Sequence, residues 1–257
     1  MKLLVKLGGT LLDAPESRFR VAAQIACARA RGLEITVVHG GGKQMTRYLA
    51  EHGIDSRFVN GLRVTTPETI DAVLKVFAGS VNHELVASLN RAGALAVGLS
   101  GIDGLLAEAE QMDPELGAVG RVTGSNPAVL DVLTTNGFLP VVACVAGDRQ
   151  GNIYNVNADQ MAVACAAAFR ADQLIFLTDV DGVFDAAKQV RSVLTAAEGR
   201  ALIAEGVATG GMQAKLNAAL AGLDGGVPQV RIAPGAADRV LERILSGEAI
   251  GTKVVTA

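Results

Sequence analysis

The chain has 257 residues, half of them hydrophobic, with 23 Lys and Arg against 26 Asp and Glu and a formal net charge of −3. That is enough apolar material for a sizeable core, in one large domain or two intimate lobes. The mild acidity, without a long Lys/Arg run, excludes the electrostatic footprint of a nucleic-acid binder, and no window of about 18 uninterrupted apolar residues reads as a membrane span.

The opening MKLLVKLGGTLL begins like a signal peptide, but Lys6 and the Gly8-Gly9 pair interrupt its apolar run. A cytoplasmic, soluble protein is therefore expected. Cys27, Cys144 and Cys165 share no short spacing, so buried reduced thiols are expected rather than a disulfide framework or zinc site. In chain order, Leu3–Leu7 reads as a strand, Glu16–Arg31 as a helix closed by Gly32, and Ile35–Val38 as a β-branched strand running into His39 and three glycines. Met45–His52 reads as a helix, Arg57–Val64 as a hairpin or loop, Pro67–Ala92 as one or two helices, and Ala94–Leu99 and Pro140–Val145 as strands. Asp159–Phe169 reads as a helix, Leu174–Leu177 as a strand, Met212–Leu223 as a helix, Val230–Ile232 as a strand and Ala236–Ser246 as a last helix.

Such alternation predicts an α/β fold with a mainly parallel, buried sheet covered on both faces. No internal repeat or low-complexity linker interrupts it. The lobe boundary is expected near Ala171, dividing 1–171 from 172–257. Ligands of open α/β sheets bind at the carboxyl ends of the strands. That rule selects the turns KLGG (6–9), HGGG (39–42), GLSGIDG (98–104), TDVDG (178–182) and the GG before Met212.

Lys6 lies inside an apolar strand, where an unpaired charge is costly. It either points into a crevice beside Gly8-Gly9 or snorkels from an edge strand. VVHGGGKQM runs a strand through three glycines into a helix, which makes an anion cradle of backbone N–H groups or a purely structural turn. It is neither a Walker A loop nor a G-x-G-x-x-G fingerprint. Arg63 in NGLRVT suits carboxylate recognition, though taken alone the residue reads better as a solvated surface arginine. In NVNADQ, Asn155 or Asn157 is placed to cap the next helix, with Asp159 in its first turn. Asp159 either serves only that helix or pairs with lysines. Lys215 sits at the border of the apolar arc Met212, Leu216, Ala219, Leu223, near a helix N-terminus and against the dipole preference. Function or snorkelling accounts for it. TDVDGVFD lacks the later ligands of an EF-hand loop and reads as a turn or a nucleotide-contacting segment.

Taken in order, KLGG, HGGG, GLRVT, NVNADQ, TDVDG and GGMxxK resemble the amino acid kinase family over essentially the whole chain, to the terminal GTKV (251–254). The resemblance implies a three-layer αβα fold with an eight-stranded, mainly parallel sheet. It implies an N-terminal lobe that binds the acceptor and dimerises, and a C-terminal lobe that binds ATP. Lys6 and Lys215 would stabilise the transition state and Asp159 would organise both lysines. Gly41 and Gly42, with Gly8 and Gly9, would offer N–H groups to the transferred phosphoryl group, and Arg63 and Asn155 would hold the acceptor. Asp179, Val180, Asp181, Gly182, Val183, Phe184, Val207, Ala208 and Thr209 would line the nucleotide site. Magnesium would be held by phosphates and water, without a protein metal site.

Within the family the motifs are most similar to members that phosphorylate the side-chain carboxylate of N-acetyl-L-glutamate in arginine biosynthesis. The alternatives are a kinase for acetylaminoadipate or a carrier-linked amino acid of lysine biosynthesis, and a non-catalytic amino-acid sensor. Arginine-inhibited hexamers of the family carry an extra helix ahead of the first strand; with that strand starting almost at Met1, the resemblance implies a homodimer that arginine does not inhibit.

Overall fold

The computed structural model describes residues 1–256. The chain opens with strand β1 (Lys2–Leu7), the short helix α1 (Gly9–Asp13), helix α2 (Pro15–Ala30), strand β2 (Glu34–His39) and helix α3 (Gly42–Glu51). A hairpin of β3 (Phe58–Val59) and β4 (Leu62–Arg63) turns at Asn60-Gly61, both at positive φ, which this residue pair tolerates. The expected helix from Pro67 is one continuous run in three parts: α4 (Pro67–Val73), a π-helical segment (Leu74–Val81) and α5 (Asn82–Arg91). Then come β5 (Ala96–Ser100), β6 (Ala107–Gln111), β7 (Val119–Ser125), α6 (Ala128–Thr135), β8 (Leu139–Ala143), β9 (Val145–Gly147), β10 (Ile153–Val156) and α7 (Ala158–Phe169). The remainder is β11 (Gln173–Thr178), β12 (Val193–Thr195), α8 (Ala196–Ala204), α9 (Gly210–Asp224), β13 (Gln229–Pro234), α10 (Val240–Leu245) and β14 (Thr252–Val255).

Eight strands form one sheet in the order β12-β14-β13-β11-β1-β2-β8-β5. Pairings are parallel except β13 with β14, so β12 and β14 run opposite to the rest. Strands β8 and β11 are buried at every position, which requires cover on both faces. The αβα arrangement expected from the alternation is thus present. β1 lies between β11 and β2, so Lys6 is on an inner strand and cannot snorkel from an edge. The chain order of the strands diverges at β1, where a crevice opens beyond the carboxyl ends.

Strands β6, β7, β9 and β10 form a small closed barrel that the sequence did not suggest. β6 is AEAEQ and β7 is VGRVTGS, with little of the apolar character that marks a buried strand. The cysteine expectation needs one correction. Cys144 and Cys165 are buried, and burial pushes both thiols up to about 12. Cys27 is exposed, because α2 buries Val21, Ala22, Ile25, Ala26 and Ala28 and leaves Cys27 facing outward.

Candidate active site

Lys6 stands near the carboxyl end of β1, beside Val38 and Phe176. Apolar neighbours cannot compensate its charge. Asp159 does: Lys6 Nζ lies 2.6 Å from Asp159 Oδ1, with the side chains 13% and 14% exposed. The contact is one of charge rather than an aligned hydrogen bond, and Oδ1 has no hydrogen-bond partner. Asp159 is held in the first turn of α7 by Asn157, whose Oδ1 accepts from the N–H of Asp159 at 2.9 Å and of Gln160 at 3.3 Å. Of the two asparagines placed to cap this helix, Asn157 does so, and Asn155 is left for another task.

Helices α1 and α3 begin side by side at this crevice: a Cβ on Gly9 would lie 3.7 Å from Gly42 N. The N–H groups of Gly9, Gly41 and Gly42 make no hydrogen bond to a backbone carbonyl outside regular elements. They sit at helix N-termini, where intrahelical acceptors are lacking. Gly8 corrects the expectation: its N–H donates to Leu177 O at 2.8 Å and is not free for a phosphoryl group. Gly41 is buried beneath Phe77, whose Cδ1 would be 2.9 Å from an added Cβ.

Arg63 is buried, so a solvated surface arginine is excluded. Its guanidinium donates to Ser56 Oγ, to Thr46 Oγ1 at 2.8 Å and to Gly42 O at 3.3 Å, and stacks over the Phe58 ring at 4.5 Å. All of these partners are neutral. Burial lowers the guanidinium pKa, as expected for a cation taken from water without a counter-ion. Arg63, Gly41, Gly42, Phe77, Asn155 and Ala158 line one cleft of about 170 Å³. Asn155 Nδ2 donates to Thr65 Oγ1 at 3.1 Å. Ala158 precedes Asp159, so the cleft runs from the unpaired guanidinium past the glycines toward the Lys6–Asp159 pair.

Across β1, the chain leaving β11 carries Asp179. A hydrogen bond from Thr178 Oγ1 at 2.9 Å is the main cause holding its carboxyl below the ordinary range, and the charges of Lys215 and Lys43 add to it. Lys215 is half-buried in the second turn of α9. Asp159 forms an ion pair with Lys6; Lys215 forms none among the described residues. Within the loop after β11, Gly182 and Val183 are buried and Val183 N–H donates to Thr252 Oγ1 at 2.7 Å. These two anchor the loop rather than present a side chain. Asp179, Asp181 and Phe184 are exposed, and Val180 is half-buried. Val207 is half-buried, Ala208 is buried, and exposed Thr209 is the N-cap residue of α9.

Two residues outside the expected set complete the site. His39 and Asn82 form a buried hydrogen-bonded pair behind the glycines. His39 belongs to HGGG and was legible as part of that motif; Asn82, inside a long helical stretch, carried no signal.

The model of the amino acid kinase family matches residues 1–234. The chain belongs to the amino acid kinase family. An acetylglutamate kinase from Solibacter usitatus is 78% identical over 257 residues, which is 100% of each chain. An acetylglutamate kinase from Acidobacterium capsulatum is 44% identical over 260 residues, again 100% of each chain. Among solved structures, the N-acetylglutamate synthase of Neisseria gonorrhoeae complexed with coenzyme A and N-acetyl-glutamate superposes with a TM-score of 0.89 at 25% identity. That alignment covers 100% of this chain and 59% of the synthase chain. The fold and ordered motifs expected of the family are therefore both present.

Proposed function

We infer that this protein transfers the γ-phosphoryl group of ATP to the side-chain carboxylate of N-acetyl-L-glutamate, giving ADP and N-acetylglutamyl 5-phosphate, a step of arginine biosynthesis. The observation that carries the reading is the buried Arg63 guanidinium, with only neutral partners, in one cleft with Gly41, Gly42 and Ala158, the residue that precedes the Lys6-paired Asp159. The full-length similarity to acetylglutamate kinases supports the choice of acceptor.

The reaction fits these residues. A carboxylate is ionised at neutral pH and needs no general base. Its oxygen forms the new bond to phosphorus while the bond to the β–γ bridging oxygen breaks, and ADP leaves with that electron pair. No proton moves. The obstacle is repulsion between anions, and phosphoryl transfer is assisted by alignment and electrostatics. In this reading Lys6, on β1, and Lys215, on α9, flank the phosphoryl group from opposite sides. Gly9, Gly41 and Gly42 donate N–H groups to it. Arg63 and Asn155 hold the acceptor. Asp159 keeps Lys6 directed.

ATP would lie along the loop Asp179–Phe184 and the N-terminus of α9, with Val207 and Thr209 at its rim. The helix start offers free N–H groups to phosphate. Magnesium would supply charge neutralisation through phosphate oxygens and water. We further propose that residues 1–171 form the acceptor lobe and 172–257 the nucleotide lobe, and that the working unit is a homodimer. The edge strand β5 and the exposed Leu95 and Phe138 beside it support an interface on that side.

An ADP-release assay comparing N-acetyl-L-glutamate with acetylaminoadipate tests the acceptor. A kcat/KM preference for N-acetyl-L-glutamate is expected; preference for the longer acid, or no turnover with either, overturns the reading. Light scattering giving any state but a dimer overturns the assembly.

A further inference from the structure

A buried polar network lies behind the glycine cradle, and nothing in the transfer step uses it directly. His39, the last residue of β2, is fully buried. Its Nδ1 is 2.8 Å from Gly40 O and its Nε2 is 2.9 Å from Asn82 Nδ2. A carbonyl only accepts, so Nδ1 carries the proton and Nε2 accepts from Asn82. The second hydrogen of the Asn82 amide goes to Val141 O at 2.9 Å. Oδ1 of Asn82 points at Gly98, where any added Cβ would collide with it. Because the Val141 carbonyl only accepts, the amide atom facing it is Nδ2, and that orientation selects one tautomer of the ring. Burial lowers the His39 pKa to about 4, so the ring stays neutral in that tautomer at neutral pH.

The helical run beneath explains how Asn82 arrives there. Asn82 directly follows the π-helical segment Leu74–Val81, and two residues of that segment, Phe77 and Val81, pack on Gly41. One irregular segment thus touches the cradle from below and supplies the residue that fixes the histidine. π-Helical insertions within α-helices are frequent at functional sites.

We propose that His39 and Asn82 are positioning residues for phosphoryl transfer: Nδ1–H of His39 holds the Gly40 carbonyl inward, so that the Gly41 N–H of the same trans peptide faces the cleft. In a trans peptide the C=O and N–H point in opposite directions, so fixing one aims the other. The inference rests on the reading that Gly41 N–H meets the phosphoryl group. The other ionisable groups at this end of β2 are Lys6 on β1, Asp159 on α7 and Cys144 after β8. None of them takes part in the His39–Asn82 hydrogen bonds.

Steady-state kinetics on the full chain with ATP and N-acetyl-L-glutamate test this. His39→Leu removes the donor to Gly40 O and should lower kcat by about 100-fold, the scale of a misplaced reacting group, with both KM values within threefold. His39→Asn keeps a donor near the Nδ1 position and should recover most of that loss. Asn82→Leu leaves the ring but frees its tautomer, and should lower kcat by about tenfold at unchanged KM. A kcat within threefold of wild type in the folded Leu variants, or a loss that the Asn variant does not relieve, would overturn the proposal. Should the Leu variants fail to fold, the ring ¹⁵N shifts of His39 in the wild-type protein decide: the Nδ1–H tautomer is expected, and the Nε2–H tautomer refutes it. Wild-type turnover in the same assay separates this question from the function itself, since an inactive wild type overturns the function rather than the positioning role.

Discussion

Replacing Arg63 by Met separates what this residue does for binding from what it does for folding. Met keeps the apolar stem and removes the guanidinium. In the substrate-free protein that guanidinium has only neutral partners: Ser56, Thr46 Oγ1 at 2.8 Å, Gly42 O at 3.3 Å and the Phe58 ring. Losing those contacts is offset by no longer burying a cation without a counter-ion. Substrate-free stability should therefore change by less than about 1 kcal/mol, from partial cancellation of hydrogen-bond and desolvation terms. Acceptor binding behaves differently. A charge-assisted hydrogen bond contributes about 1.5–3 kcal/mol, which corresponds to a KM for N-acetyl-L-glutamate raised about 10- to 150-fold. In the proposed reading Arg63 holds a part of the acceptor remote from the reacting oxygen, so kcat should fall much less. Urea melts of the free protein and steady-state kinetics report the two quantities. A free protein destabilised by more than about 3 kcal/mol, with an unchanged acceptor KM, would show that Arg63 is a structural residue.

Other perturbations follow from the same geometry. Gly41→Ala should cost about 1–3 kcal/mol by overpacking against Phe77, and Phe77→Leu in the same chain should restore part of the urea midpoint; additive effects would refute the contact. Asp159→Asn leaves Lys6 buried without its counter-charge and should destabilise by about 3 kcal/mol in urea melts; an unchanged midpoint would show that the pair contributes nothing to folding. His39 predicts a pH dependence. Its folded pKa of about 4 lies below the ordinary value of 6.5, so the unfolded chain binds the proton more tightly. Stability contributed by the neutral ring is complete above 6.5 and falls as pH drops toward 4, by up to about 3 kcal/mol. His39→Gln should flatten that part of the stability profile, and an unchanged slope would assign the acid loss to other groups.

Part of this geometry was legible in the sequence: Lys6, a charge within an apolar strand, is the residue that Asp159 pairs with. Lys6 breaks an apolar strand, and the rule of strand carboxyl ends selected KLGG and HGGG, whose glycines start α1 and α3 side by side. Sheet character and the placement of α7 and α9 followed from apolar runs and periodicity. Three things were not legible. The barrel strands β6 and β7 carry little apolar pattern, so their pairing depends on tertiary context. Gly8 looked equivalent to Gly9, and only the β11 register shows that Leu177 O takes its N–H. Asn82 reads as one more residue of a long helix; the π-helical segment that aims it at His39 leaves no mark in the apolar period.

The central claim is that Lys6 and Lys215 act on the phosphoryl group in transit rather than on ground-state binding. Measuring kcat and both KM values for Lys6→Met and Lys215→Met, each with ATP and N-acetyl-L-glutamate, tests it most directly. The account predicts a kcat lowered by about 10²- to 10³-fold in each variant, the cost of removing one donor from developing charge, with KM values within a few fold. A near-normal kcat in either variant, or a loss carried by KM alone, would contradict it.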